Sequence, residues 1–233
     1  TASDMAERLT KLPLVYQPGT VYEYSLSFDV LGAVVEKITG KSLGAYLSDA
    51  VWKPLKMNDT TFRPNEAQHA RIARALPVNP IDGKPQSIEA IDKPSSFECG
   101  GGCAVGTMGD YIRFGQMLIN GGSLDGRQVL SPAFVRLMIS NHLGAGIQNR
   151  VANIEPHRAG YGFGLGVAVR LENGLAAVPG SPGEFTWNGA NGTGFFADPK
   201  EQLVVAYGTA APGEIRKYYR EQMQDLVYGA FAK

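Results

Sequence analysis

Apolar positions follow a helical period through roughly the first two thirds of the chain and switch to alternation in the last third. Residues 3–12 carry Met5, Leu9 and Leu12 on one face behind Ser3 as a capping residue, which predicts a short helix closed by Pro13. Pro18-Gly19 marks a loop. Beyond Tyr24 and Ser25, the residues Phe28, Leu31, Val34, Val35 and Ile38 recur at helical spacing up to Gly40, a natural stop. Tyr24 therefore stands at a loop-to-helix junction. A further helix over 42–51 runs into Pro54-Leu55, and the polar, proline-containing stretch 58–96 reads as loops with a strand near 74–78.

Glycines then cluster at Gly100, Gly101, Gly102 and Gly106. A helix starts at Thr107, with Asp110 three residues on completing a capping box and Met108, Tyr111, Ile112, Leu118 and Ile119 as its apolar face. Gly121-Gly122 stops it, and Ser131-Pro132 opens another, a capping residue followed by proline at the first helical position. From Tyr161 the period changes. Phe163, Leu165, Val167 and Val169 alternate as a strand, 185–187 and 193–197 read as further strand, and 203–207 closes the set after the turn Asp198-Pro199-Lys200. Successive strands with short links imply an antiparallel meander. A last helix over 212–231 places Ile215, Tyr219, Met223, Leu226 and Ala230 on one face. Helices first, then a sheet, then a covering helix make an α+β pattern, without internal repeats.

Composition narrows the function. With 22 basic and 22 acidic side chains among 233 residues, the formal net charge is +0, so the electrostatic footprint of a nucleic-acid binder is missing. No apolar run is long enough to span a bilayer. Glycine, 29 residues or about 12% against a usual value of about 7%, marks turns and close backbone approaches rather than low complexity. The chain opens on Thr1 with no leader pattern, which reads as a processed or truncated start and leaves the compartment open.

Most candidate motifs fail on their own terms. Gly101 to Thr107 has the glycines of a phosphate loop but lacks its lysine. Gly162, Gly164 and Gly166 alternate where a dinucleotide fingerprint would need a following helix, so close backbone packing is the better reading. His69, His142 and His157 show no zinc spacing and read as surface or hydrogen-bonding residues; no metal or cofactor is implied. Cys99 and Cys103 flank three glycines, where small apolar packing is favoured over a disulfide. Two places remain. Tyr24 is by default a structural tyrosine, although the positive end of a helix dipole there would favour a phenolate. The segment from Trp187 to Gly192 is either a plain hairpin with a bulge or a place where backbone N–H groups face a ligand.

Together these residues resemble a known family. Tyr24-Ser25-Leu26, the helix through Glu36 and Gly40, the run from Pro54 to Thr60 with Phe62, the Gly100-Gly101-Gly102 loop leading to Tyr111 and Phe114, and Trp187-Asn188-Gly189 look like the serine β-lactamase and penicillin-binding-protein-like hydrolases. The branch they resemble most is the esterases with a β-lactamase fold. The resemblance runs over nearly the whole chain and is most specific from Tyr24 to Phe62. It implies a β-lactamase/transpeptidase-like fold, an antiparallel sheet flanked by helices plus a mainly helical subdomain. On that basis 1–155 would be the helical subdomain carrying Tyr24, and 156–233 the meander and C-terminal helix of the α/β subdomain.

The resemblance also implies two-step acyl transfer. In the family, a serine of a Ser-x-x-Lys motif attacks a carbonyl, the lysine and a tyrosine manage its proton, and water releases the acyl group. Tyr24 takes the tyrosine's place. A phenol with an ordinary pKa near 10 needs a neighbouring cation to act as a base at neutral pH. Trp187-Asn188-Gly189 takes the place of the strand motif Lys-Thr-Gly, and Ala190 after it would supply one backbone N–H of the oxyanion hole. Three departures follow. No lysine here has a serine three residues before it, so the expected partner of this chain is a missing N-terminal segment carrying the nucleophile. The less economical alternative is a non-catalytic module of the same fold. Leu26 replaces the asparagine that ends the family's Tyr-x-Asn motif, and Trp187 replaces a lysine that pairs with substrate carboxylates. Both changes favour small neutral esters over the other alternative, the β-lactam or peptide substrates of a β-lactamase or D,D-peptidase. Standing alone, the chain is expected to be inactive and unstable, because the family's sheet takes strands from both ends of the sequence.

Overall fold

The computed structural model describes residues 1–24, 26–88 and 97–231. Ser25 of the tyrosine motif lies outside them. The order is α1 (Ala2–Leu9), β1 (Val21–Tyr22), α2 (Ser27–Thr39), α3 (Leu43–Leu47) continued by a π-helical turn Ser48–Trp52, α4 (Glu66–His69), α5 (Met108–Ile119), β2 (Ser123–Leu124), β3 (Arg127–Gln128) and α6 (Pro132–Met138). Then come β4 (Gln148–Asn149), α7 (Val151–Ile154), a 3-10 turn Pro156–Arg158, β5 (Tyr161–Phe163), β6 (Ala168–Arg170), β7 (Phe185–Thr186), β8 (Gly194–Asp198), β9 (Leu203–Tyr207) and α8 (Ile215–Gly229). Among the described residues, β5 to β9 form one five-stranded antiparallel sheet in sequence order, the expected meander.

Several elements differ from the sequence expectation. The alternation from Phe163 to Val169 is a hairpin rather than one strand: β5 and β6 pair with Phe163 opposite Ala168. Gly164 cannot carry a side chain, since a Cβ there would collide with the Met138 carbonyl oxygen. The span 74–78 forms no strand; only Val78 makes an isolated bridge, to Pro85. Cys99 and Cys103 are joined in a disulfide instead of packing as separate thiols. The Thr107 hydroxyl caps α5 as expected by accepting from the Asp110 N–H. The Asp110 carboxylate, however, reaches across to the Asp59 N–H at 2.9 Å and the Thr60 hydroxyl at 2.8 Å. The second half of the box is therefore spent tying the Pro54 to Thr60 run to α5.

The core lies between α5, α6 and the sheet, with Leu55, Met117, Leu118, Val135, Val169, Phe185, Phe195 and Ala197 buried in it. Gly115 lets α5 approach the sheet, because a Cβ there would meet Phe195 and Val204. Leu118 of the expected apolar face is buried in the core, but Tyr111 and Ile112 stay about two fifths exposed, and Met117, outside the predicted face, takes a core position instead. On α8 the inversion is larger. Its buried residues are Ile215, Arg220 and Gln224, while Leu226 of the predicted stripe is 69% exposed.

Candidate active site

A second, smaller cluster of Val151, Tyr161, Phe163 and Ala168 forms an apolar floor, and Tyr22, Phe28 and Trp187 pack on it. Two of the segments around this floor bring together residues far apart in sequence. Tyr24 enters at the foot of α2, half-exposed. Leu26 occupies the cap position of that helix with no side-chain hydrogen bond and lies exposed beside it. Trp187 follows β7, where the strand ends at Thr186 rather than at the tryptophan. The Tyr24 and Trp187 rings lie 5.0 Å apart between centroids, and the Phe163 ring meets the indole edge-on at 5.2 Å. The geometry thus juxtaposes the two segments that the sequence singles out.

The foot of α2 is held by the glycine loop. Gly101 donates its N–H to the buried Asp29 carboxylate at 3.1 Å, and a Cβ at Gly100 would strike the Phe28 carbonyl oxygen. The Cys99–Cys103 disulfide closes this loop against the first turns of the helix. On the other side, Gly189 donates its N–H to the Thr193 carbonyl at 3.1 Å, and Gly192 donates to the Gly189 carbonyl at 3.2 Å. These bonds curl the 187–193 segment into a tight loop. Ala190 is exposed at its tip, and no acceptor among the described residues takes its N–H.

Sequence reasoning missed the charges behind the site. Arg158 is 2% exposed, and its guanidinium sits 5.2 Å from the centre of the Trp187 ring and donates to the Thr186 hydroxyl at 3.2 Å. Burial pulls its pKa down from the ordinary guanidinium value, and the Glu155 carboxylate works against that shift. A guanidinium remains charged in such surroundings, so a cation lies against the indole. His157 is buried as well, not a surface residue. Burial first, then Arg158 and Arg220, push its pKa down to about 3. Its 3.6 Å approaches to Glu155 and Glu221 are therefore contacts of a neutral ring at neutral pH. No spacing rule marks such groups, because their partners come from distant parts of the chain. Among the described residues no cluster of His, Cys, Asp and Glu could hold a metal ion, and no helix is long and apolar enough to cross a membrane.

The family model described as Beta-lactamase matches residues 1–228. The chain belongs to that family. It is 35% identical over 205 residues to Protein Rv1367c of Mycobacterium tuberculosis, covering 85% of this chain and 51% of that protein. It is 29% identical over 221 residues to Esterase EstB of Burkholderia gladioli, covering 85% and 52%. The solved structure of EstCE1, described as a hydrolase with promiscuous acyltransferase activity, superposes with a TM-score of 0.78 at 27% identity, over 98% of this chain and 62% of that one. The fold is thus the β-lactamase/transpeptidase-like one, mixed α+β. The chain spans about half the length of the curated relatives it matches.

Proposed function

We propose that these 233 residues belong to a serine hydrolase that cleaves small carboxylic esters through an acyl-enzyme, with the Ser-x-x-Lys nucleophile supplied by residues outside this sequence. The observation that carries the reading is the 5.0 Å juxtaposition of Tyr24 with Trp187 beside an Ala190 N–H that no acceptor among the described residues takes. In this reading Tyr24 exchanges a proton with the serine as it attacks the ester carbonyl and as the alcohol leaves. The negative oxygen of the tetrahedral intermediate sits between the Ala190 N–H and the N–H of the nucleophile, and water then releases the acid. Leu26 and Trp187 line the entry with apolar surface and provide no cation for a substrate carboxylate. Residues 1–155 act as the helical subdomain carrying Tyr24, and 156–233 as the sheet subdomain carrying the oxyanion loop.

The supply of the nucleophile from elsewhere has independent support. β9 ends the meander and is only half-buried along its whole length. Beside it Tyr207, Thr209, Tyr219, Met223 and Leu226 line a shallow groove of about 200 Å³. A strand paired on one side only, among the described residues, next to an uncovered apolar stripe is the surface that further strands of the same protein would occupy. The test is hydrolysis of p-nitrophenyl acetate and butyrate by the complete protein. Turnover of both esters supports the reading; nitrocefin hydrolysis and a stable penicillin adduct without ester turnover would replace it with the β-lactam reading.

A further inference from the structure

Behind the oxyanion loop lies a buried ion pair that the acyl-transfer reading leaves unused. Arg220 of α8 and Glu155, which precedes the 3-10 turn, are each about 5% exposed or less, and their charged groups bond directly. Neither is paired for its own sake. The second terminal nitrogen of Arg220 donates both to the Gly189 carbonyl and, at 3.2 Å, to the Thr193 carbonyl, so one guanidinium holds both ends of the loop. The other Glu155 oxygen accepts from the Asn188 amide at 3.3 Å, and the Asn188 carbonyl oxygen accepts from the Phe195 N–H at 3.2 Å.

The Gly189 carbonyl and the Ala190 N–H belong to one peptide unit. That unit is planar and trans, so its C=O and N–H point in opposite directions. Anchoring the carbonyl to a buried cation on the α8 side fixes the direction of the N–H on the exposed side. It also draws electron density toward the oxygen, which makes the N–H a stronger donor. We infer that Arg220 and Glu155 are positioning residues for the Ala190 oxyanion donor, Arg220 by aiming and polarising the Gly189–Ala190 peptide and Glu155 by aiming Arg220. The inference rests on the reading of Ala190 as that donor.

The experiment compares wild type, R220K and E155Q in the complete protein. R220K keeps a cation but cannot reach Glu155 and two carbonyls at once, and E155Q keeps the shape without the charge. Three quantities are read: the kinetics of p-nitrophenyl butyrate, inhibition by an alkylboronic acid that mimics the tetrahedral intermediate, and the 15N-amide resonance of Ala190. Each folded variant should lose about tenfold or more in kcat with KM changed less than about threefold, because the donor acts on the intermediate and not on the ground state. Boronate affinity should fall by the same factor as kcat/KM, and the Ala190 resonance should move. A merely structural role would shift the melting temperature without this split. Wild-type kcat and an unmoved Ala190 resonance in either folded variant overturn the inference. A wild-type protein without ester turnover sinks the hydrolase reading and the oxyanion role of Ala190 with it; an Ala190 resonance that moves in the folded variants still supports the brace on the Gly189–Ala190 peptide, and one that does not move overturns the brace as well.

Discussion

Tyr24 is more than a third exposed and its ring touches Trp187. Removing its hydroxyl therefore leaves packing almost untouched while taking away the proton-handling group. Y24F is expected to lower kcat on p-nitrophenyl butyrate by about a hundredfold or more with the melting temperature unchanged, and undiminished turnover would contradict the role. His157 has a different consequence. Its native pKa, about 3, lies below the ordinary 6.5, so between those values the unfolded chain binds a proton that the native state refuses. Native stability is then fully present above about 6.5 and falls as the pH drops through that window. Urea unfolding of H157Q across the same range should show a shallower pH slope than wild type; equal slopes would contradict the assignment. Tyr24 and Trp187 were legible because a motif resemblance attaches meaning to single residues. Arg158, Arg220 and Glu155 were not, since a buried charge declares itself only through partners, and Arg220 and Glu155 lie 65 positions apart.

At the scale of elements, the period of apolar residues located the helices well and their buried faces less well. α8 shows why. Its apolar stripe and its polar positions compete for the sheet, and the polar side wins because Arg220, Gln224 and Tyr228 satisfy Glu155, Glu184 and Asp198 beneath them. Periodicity counts apolar residues and cannot see a network that binds polar ones. The hairpin from β5 to β6 hid inside one alternating run for a similar reason, because the turn at 164–167 keeps apolar residues on both sides. The Cys99–Cys103 disulfide likewise departs from the expected packing of separate thiols. Cross-linking Cys99 to Cys103 closes a five-residue loop, for which chain entropy gives about 2 kcal/mol. The C99S/C103S variant should lose that much in urea unfolding, and wild type treated with a phosphine reductant should behave like it. Unchanged stability in both would show that the loop is held by Asp29 and the α2 backbone alone.

For the molecule as a whole, the α+β class and the meander could be read from the order of periods, and membership of the Beta-lactamase family rests on a match along nearly the whole chain. An open sheet edge was expected from the resemblance, and the structure assigns it to β9 beside α8. The uncovered groove along β9 and α8 predicts that these 233 residues by themselves bind a hydrophobic dye such as ANS and self-associate, whereas the complete protein does neither. A dye-silent, monomeric chain would mean that this edge needs no cover.

The central claim, acyl transfer through a serine assisted by Tyr24, is tested most directly by intact-mass spectrometry of the complete protein quenched in acid during turnover of p-nitrophenyl butyrate. The account predicts a gain of one butyryl group per chain, on the serine of a Ser-x-x-Lys motif, which builds up far more slowly in Y24F. Ester turnover with no covalent adduct in either protein, or an adduct that forms equally fast without the Tyr24 hydroxyl, would contradict it.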